Sequence, residues 1–300
     1  MTHSRAVLLM VLVTLMWSIA GVVTRHLQAA ESFEVTFWRS AFTVLALSVA
    51  LPAMRGAAWW CDVRRARWPL WASGVCWAVM FTAFMVAITL TKVANVLVTL
   101  AIAPLVTALF ARVVLHHKLP RRTWAAMAVA GTGIAWMFGR EMQLGGAALG
   151  GMAVALAVPL AAATNWTLLQ HIAHGSGDPD EPAQDMLPAV WIGAVLSALA
   201  TLPLAWPLRA SSHDLVLLAL LGVVQLAIPC LLAVWLARVL PGPEIALLAL
   251  LEVVFGVAWA WLGAGEAPSR ASLTGGTLVL AALTGNELLA LRQRMRAVPR

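Results

Sequence analysis

The sequence predicts an all-α membrane protein with ten transmembrane helices in a five-plus-five inverted-topology repeat. Three observations support this fold class. The chain is 62% hydrophobic and only 11% charged, whereas about 25% of the residues of an average soluble domain are charged. Apolar runs of about 20 residues, the length that crosses the hydrocarbon core as a helix, follow one another from end to end. The two halves of the chain also align with each other at a constant offset.

Short polar or basic connections separate the apolar runs and set the ends of each predicted helix. Segments such as HGSGDPDEPAQD are rich in turn-forming and charged residues, which mark loops. The first run lacks a small-x-small cleavage site, so it is predicted to be a retained span rather than a signal peptide. The predicted spans are 6–26, 33–53, 69–91, 94–115, 122–138, 149–171, 186–206, 214–240, 244–264 and 271–291.

The distribution of basic residues predicts the orientation of the chain. Most Lys and Arg residues fall in alternate connections and in the C-terminal tail, and such residues favour the cytoplasmic side. We therefore expect a multi-pass protein of the bacterial inner membrane with both termini in the cytoplasm. The net charge of +7 then reflects orientation rather than nucleic-acid binding. The expected partners are the lipid bilayer and a small-molecule substrate, and the expected state is a monomer or homodimer.

An offset of 149 positions relates the two halves of the chain. It aligns Trp17 with Trp166 and Asn95 with Glu244. Because each half holds an odd number of spans, the second half must cross the membrane in the opposite sense. The predicted repeats are residues 1–142 and 143–300, and a substrate site is expected near the midplane between them.

Four stretches of sequence carry a family resemblance. They are TLMWSIAGVVTRHL, FWRSAFTVLAL, IAPLVTALFARVVLHHKLPRRTWAAMAVAGTGIAWM and LEVVFGVAWAWLGAGEAPSRASLTGGTLVLAA. Together they resemble the EamA-type ten-helix members of the drug/metabolite transporter superfamily. The sequence departs from that pattern at Val253, where the family usually has proline, and at His116 and His117, where the first half usually has Gly-Glu. The resemblance implies a central cavity lined by spans one, three, four, six, eight and nine. It also implies small metabolites as substrates, most often amino acids and related compounds moved outward.

Glu252 is an acid near the middle of the ninth predicted span. Gly256, Ala260 and Ala264 lie on the same helical stripe, and such small residues allow another helix to approach closely. Glu252 is therefore predicted to face protein or a cavity. A charge at the bilayer centre costs about 2.5–3.5 kcal/mol even on the lenient scale. Glu252 is accordingly a candidate for substrate binding and for carrying a coupled proton, with a structural carboxylate as the alternative.

Other polar and aromatic side chains within the spans complete the predicted substrate site. The candidates are Thr14, Trp17, Ser18, Asn95, Thr99, Asn165, Trp166, Gln225 and Trp235. Trp17 and Trp166 are predicted to flank a cavity, where indoles could stack on a substrate or face an amine. Gln225 is a buried amide that needs partners, and Trp235 follows ten residues later on nearly the same face. For each of these residues, helix packing is the alternative.

Pro229 and Arg39 are two further residues with possible roles inside spans. Pro229 removes a backbone donor and can bend the eighth span. Arg39 either extends outward to the interface or balances a buried acid or a substrate carboxylate. Span two is not part of the predicted cavity lining. Adjacent histidines such as His116 and His117 point about 100° apart on a helix, which is a poor metal spacing. No metal and no cofactor are predicted.

The motifs that the sequence lacks narrow its function. It contains no GxxxxGK[ST], HExxH or GxSxG sequence, so neither an ATPase nor a common hydrolase is predicted. Isolated polar residues on apolar helices favour passage of a solute over a reaction. The predicted function is secondary transport by alternating access, with export of an amino acid or a related zwitterion or amine. Two alternatives remain open: uptake of a quaternary amine such as choline, and a non-transporting scaffold, sensor or lipid-handling protein.

Overall fold

The structure, a computed structural model, describes residues 3–56, 59–64, 66–114, 120–143, 148–175, 186–236, 240 and 242–297. Within these ranges the protein is helical and contains no strand, which confirms the predicted all-α class. The helices are α1 His3–Ser18, α2 Ala20–Thr24, α3 Ser32–Arg55, α4 Trp59–Arg64, α5 Trp68–Leu90, α6 Val93–Leu100, α7 Ala103–Val114, α8 Arg121–Gln143, α9 Leu149–Ala155, α10 Ala157–Gly175, α11 Pro188–Ala205, α12 Ser212–Leu220, α13 Ile228–Leu236, α14 Gly242–Ala264 and α15 Arg270–Ala297. A π-helical segment, Leu221–Ala227, connects α12 to α13.

Each of the ten predicted spans overlaps a helix, and seven helical segments in the described part are long and apolar enough to cross a membrane. These seven are His3–Thr24, Ser32–Arg55, Trp68–Leu90, Val93–Phe110, Pro188–Ala205, Ser212–Ala233 and Arg270–Ala290. Two further apolar helices, Leu149–Asn165 and Leu248–Ala264, are shorter. The predicted span 122–138 falls on α8, which is not among the seven.

Three interruptions of the helices coincide with prolines. Helix α6 ends at Leu100, four residues before Pro104, and α9 ends at Ala155, four residues before Pro159. The π-helical segment immediately precedes the turn that contains Pro229. Proline has no backbone N–H, and its ring collides with the carbonyl four residues earlier. The distortion predicted at Pro229 is therefore present, as a π-helical segment.

The first span is interrupted at Ile19, where the surrounding packing is tight. A Cβ added to Gly21 would lie 2.5 Å from Cγ1 of Val93, and a Cβ added to Gly256 would lie 2.4 Å from Cδ1 of Leu97. Val93 or Leu97 would have to move to admit a methyl group, so glycine at these positions lets α2 and α14 pack closely on α6. The small-residue stripe of the ninth span is thus a helix-packing surface at Gly256.

Helices from the first and second halves of the chain interleave. Helix α1 packs on α13 and α14, α3 packs on α11 and the π-helical segment, and α5 packs on α10 and α11. Helix α6 packs on α14, α7 on α10, and α8 on α15. Every one of these pairs joins one half to the other. The centre of the bundle is therefore built from both halves.

Candidate functional site

Arg39 lies inside the helical bundle. It is the eighth residue of α3 and is only 2% exposed. Its Nε donates a hydrogen bond of 3.1 Å to Oε1 of Gln225 on the π-helical segment, whereas its buried Nη1 has no hydrogen-bond partner. Of the two roles predicted for Arg39, outward extension to the interface is wrong, because the side chain is sequestered between helices. Span two, absent from the predicted lining, contributes this cation.

The guanidinium of Arg39 is enclosed by aromatic rings of α5. Its Cζ lies 5.9 Å from the ring centroid of Phe81 and 5.7 Å from that of Phe84. Both distances are within the range of cation–π attraction, which strengthens when the cation is removed from water. The rings give the buried charge a favourable surface but cannot replace the missing hydrogen bond of Nη1.

Gln225 joins α3 to the first span through both ends of its amide. While Oε1 accepts from Arg39, Nε2 donates to the main-chain oxygen of Trp17 at 3.1 Å. Gly222 allows this arrangement, because a Cβ there would lie 2.6 Å from the main-chain oxygen of Arg39. The prediction that Gln225 needs partners is met by two different helices.

Glu252 is the eleventh of the 23 residues of α14, close to the middle of that helix. Its carboxylate interacts electrostatically with Arg39, but no ion pair within 4.0 Å joins the two side chains. Glu252 is partly buried, and it makes no hydrogen bond to a residue in the described ranges. We call Trp17, Arg39, Gln225 and Glu252 the central cluster.

Four other predicted site residues form hydrogen bonds within or between neighbouring helices. The hydroxyls of Thr14, Ser18 and Thr99 are buried and donate to main-chain oxygens of their own helices. Asn95 accepts a short hydrogen bond from Ser272 of α15 and donates to Thr91 at 3.3 Å. The three hydroxyls thus bond within their own helices, and Asn95 links α6 to α15.

The predicted site residues Asn165, Trp166 and Trp235 belong to the second half of the chain, and their surroundings differ. Asn165 accepts a hydrogen bond of 2.6 Å from Ser73 of α5, and its buried Nδ2 has no partner. The side chain of Trp166 lies outside the described residues. Trp235 is 46% exposed, whereas Gln225 is 2% exposed, so the two do not share one buried face as predicted. The π-helical segment between them changes the rotation per residue.

A second group of charged residues lies where the loops meet the helix ends, and it was not predicted. We call Arg25, Glu34, Asp214 and Glu266 the end cluster. The Asp214 carboxylate accepts backbone hydrogen bonds from residues 28–30 at 2.8 to 3.1 Å. Glu34 accepts from the backbone of Arg209 and Ala210 at 2.8 and 2.7 Å.

Arg25 and Glu266 form the ion pair of the end cluster. Nε of Arg25 lies 2.5 Å from Oε2 of Glu266, and its two terminal nitrogens donate to the main-chain oxygens of Ile88 and Thr91. The other oxygen of Glu266 accepts from the backbone N–H of Val93, at the start of α6. The pair thus connects the ends of four helices.

A surface pocket of about 300 Å³ lies near Glu34 and away from the central cluster. It is lined by Glu31, Ser32, Phe33, Glu34, Leu204, Ala205, Trp206, Pro207 and Arg209. No predicted site residue lines it. Among the described residues, no group of three or more His, Cys, Asp or Glu lies together, and His116 and His117 lie outside those residues.

Comparison with known proteins identifies the first half of the chain. Residues 4–139 match the family model of the EamA-like transporter family. This part of the chain is therefore similar to the EamA-like transporter family. The match and the apolar helices together support a multi-pass membrane protein. The predicted resemblance is confirmed.

A solved structure extends the similarity beyond the EamA-like segment. It is described as "Crystal structure of protein", and it covers 97% of this chain and 99% of its own with a TM-score of 0.66. The sequences are 19% identical, so the comparison shows a common fold and nothing about substrate. No curated protein matches the chain.

Proposed function

We propose that this protein is a secondary transporter that exports an amino acid or a related zwitterion across the bacterial inner membrane by alternating access. The observation that carries the proposal is the central cluster. It holds a guanidinium and a carboxylate inside the bundle, on helices from different halves of the chain. Charges at membrane depth are expensive, and those that persist typically mark substrate or ion pathways.

The packing of the helices supports an internal five-plus-five repeat with units 1–142 and 143–300. An internal repeat relates the first span to the sixth, the second to the seventh, and so on. Under this exchange the contact between α1 and α14 corresponds to one between α10 and α7. The contact between α3 and the π-helical segment corresponds to one between α11 and α5. Both pairs occur, and α3–α11, α6–α14 and α8–α15 exchange into themselves. Such a relation is expected of an inverted repeat, which rocks about a site between its halves.

The opposite charges of the central cluster also bear on the choice between substrate classes. A permanent cation such as choline would approach Glu252 but would be repelled by Arg39. A zwitterion can satisfy both groups at once. The cluster therefore supports an amino acid over a quaternary amine, and it gives no specific support to a scaffold, sensor or lipid-handling role.

Flux measurements with purified protein test the proposal. Proteoliposomes preloaded with a mixture of labelled α-amino acids should release at least one of them faster than protein-free liposomes, and an inward gradient of the same compound should drive exchange. The Arg209→Gln variant, which removes an exposed arginine, should retain this flux. If no amino acid or amine crosses faster than in protein-free liposomes, the transport proposal fails.

Glu252 is the group we propose as the carrier of a coupled proton. Glu252 lies near the middle of α14, and the charged group that acts on it is Arg39. A Glu252→Gln variant, assayed at a substrate concentration high enough to offset its weaker binding, should lose the acceleration of flux by an imposed pH gradient. If the variant still responds to the pH gradient as the native protein does, Glu252 is not the proton carrier.

A further inference from the structure

The central cluster contains two charged side chains, Arg39 and Glu252, that make fewer hydrogen bonds than they can. Arg39 has five N–H donors in a planar fork, yet its buried Nη1 has no partner. Buried polar groups in native proteins are nearly always hydrogen-bonded, and the exceptions call for an explanation. Here the exception is a charged group that is 2% exposed.

Glu252 is the complementary exception. Its carboxylate can accept several hydrogen bonds, and it accepts none from the described residues. The carboxylate is near enough to Arg39 for their charges to interact, but no direct ion pair forms within 4.0 Å. The two charged groups are therefore farther apart than a direct ion pair, and a ligand that bridges them would make one hydrogen bond of roughly 2.9 Å on each side.

The geometry points to a two-point headgroup site in which Arg39 binds the carboxylate and Glu252 binds the ammonium of an α-amino acid. This inference rests on the proposed transport function and names the residues that would select its substrate. A free carboxylate would supply the acceptor that Nη1 lacks, in the charge-assisted form that arginine favours. A substrate ammonium would supply the donors that Glu252 lacks. A ligand with a single charge would leave one of the two groups unsatisfied.

Three side chains contact the guanidinium of Arg39. Gln225 holds Nε, and the rings of Phe81 and Phe84 lie beside the guanidinium. Gln225 is itself held by the main-chain oxygen of Trp17. Both Trp17 and Glu252 are partly exposed, whereas Arg39 and Gln225 are not. Gln225 is thus a positioning residue for the arginine, and the indole of Trp17 is available to the substrate side chain.

A ligand series built on one amino acid tests this site. Thermal unfolding of the purified protein in detergent is first measured with each standard α-amino acid, and the most strongly stabilising one is selected. Its decarboxylated amine and its deaminated carboxylic acid are then compared with it. We expect the amino acid to bind at least about a hundredfold more tightly than either analogue, because each analogue leaves one of the two charged groups without its partner.

Variants separate recognition from a general effect on folding. Arg39→Gln should weaken amino-acid binding but leave the binding of the amine nearly unchanged, so that preference for the amino acid over the amine collapses. Glu252→Gln should weaken amino-acid binding but leave the binding of the carboxylic acid nearly unchanged, so that preference for the amino acid over the carboxylic acid collapses. Arg39→Lys keeps the charge and should retain part of the preference. The control, Arg209→Gln, lies at an exposed ion pair and should change neither ratio.

The outcomes distinguish this inference from the transport proposal. Equal loss of affinity for all three compounds in Arg39→Gln and Arg39→Lys would assign Arg39 a purely structural role and overturn the site. So would stabilisation by the amine alone, or by none of the amino acids. If proteoliposomes still transport an amine in that case, the headgroup site fails while transport stands. If ligands bind with the expected preference but no flux is measured, the transport proposal fails and the site stands.

Discussion

The end cluster and the central cluster both contain buried charges, but the two regions satisfy them differently. In the end cluster, Asp214 is 0% exposed and its oxygens accept from four backbone N–H groups, those of residues 28–30 and Ser211. In the central cluster, Arg39 is 2% exposed and Nη1 has no partner. A buried carboxylate surrounded by donors stabilises the fold, whereas a buried charge without partners costs stability.

The difference indicates which charges serve the fold and which serve the transported solute. The acids of the end cluster fasten loops: Asp214 holds the connection before α3, and Glu34 holds the connection before α12. Each acid therefore holds the loop that leads into the other acid's helix. Removing an end-cluster acid should mainly lower stability, and removing a central charge should mainly change function.

Asp214→Ala is expected to give the largest loss of stability. It removes the acceptor of the backbone N–H groups of Gln28, Ala29 and Ala30 together with the capping box at Ser211. Breaking a buried, hydrogen-bonded charge in this way costs about 3–5 kcal/mol. Thermal unfolding in detergent measures the change.

The isosteric Asp214→Asn variant is the control for this measurement. It keeps one acceptor oxygen and should lose less stability than the alanine variant. If Asp214→Ala unfolds at the same temperature as the native protein, the loop connection is not stabilising and the contrast between the two clusters disappears.

Glu34→Ala should give a smaller loss, about 2–3 kcal/mol, because one oxygen accepts two backbone N–H groups. Those donors belong to Arg209 and Ala210. Glu34→Gln retains an acceptor oxygen at the same place, so it should unfold close to the native temperature. Equal losses in both variants would show that the charge, rather than the acceptor oxygen, holds this loop.

The sequence was sufficient to predict the helices and the individual polar positions. Length and hydropathy locate the spans, because a helix must be about 20 apolar residues long to cross the bilayer. The unusual positions of Glu252 and Gln225 are visible for the same reason, since polar residues in apolar runs require partners. Pro104 and Pro159 mark helix interruptions in the same way as Pro229.

The pairings between distant residues could not be predicted in the same way. Arg39 meets Gln225, and Asp214 meets Gln28, each across a separation of 186 positions. The hydropathy pattern of a single sequence does not show which helices pack against each other. A local signal for the end cluster did exist, because Ser211 and Asp214 have capping-box spacing, Ser-x-x-Asp. The central arginine was visible in the sequence, but its direction depends on packing against α5 and the π-helical segment.

The ion pair of Arg25 and Glu266 should show an intermediate effect. Both side chains are partly buried and each also binds backbone groups, so neither single variant isolates the pair. A double-mutant cycle with Arg25→Gln and Glu266→Gln should give a coupling energy of about 1–2 kcal/mol, within the range of residues in direct contact. Additive single losses would mean that only the backbone contacts matter. Unfolding midpoints of the four proteins supply the cycle.

Glu252→Gln is expected to change stability least, by less than about 1 kcal/mol. The native carboxylate accepts no hydrogen bond from the described residues, so the amide loses no partner, and it is less costly to bury than a charge. Its attraction to Arg39 is lost, which partly offsets that gain. The same variant should strongly reduce amino-acid selectivity, and Glu266→Gln, which loses stability instead, is the matched control. A large loss of stability in Glu252→Gln would mean that the central carboxylate, like those at the helix ends, is held by the fold itself.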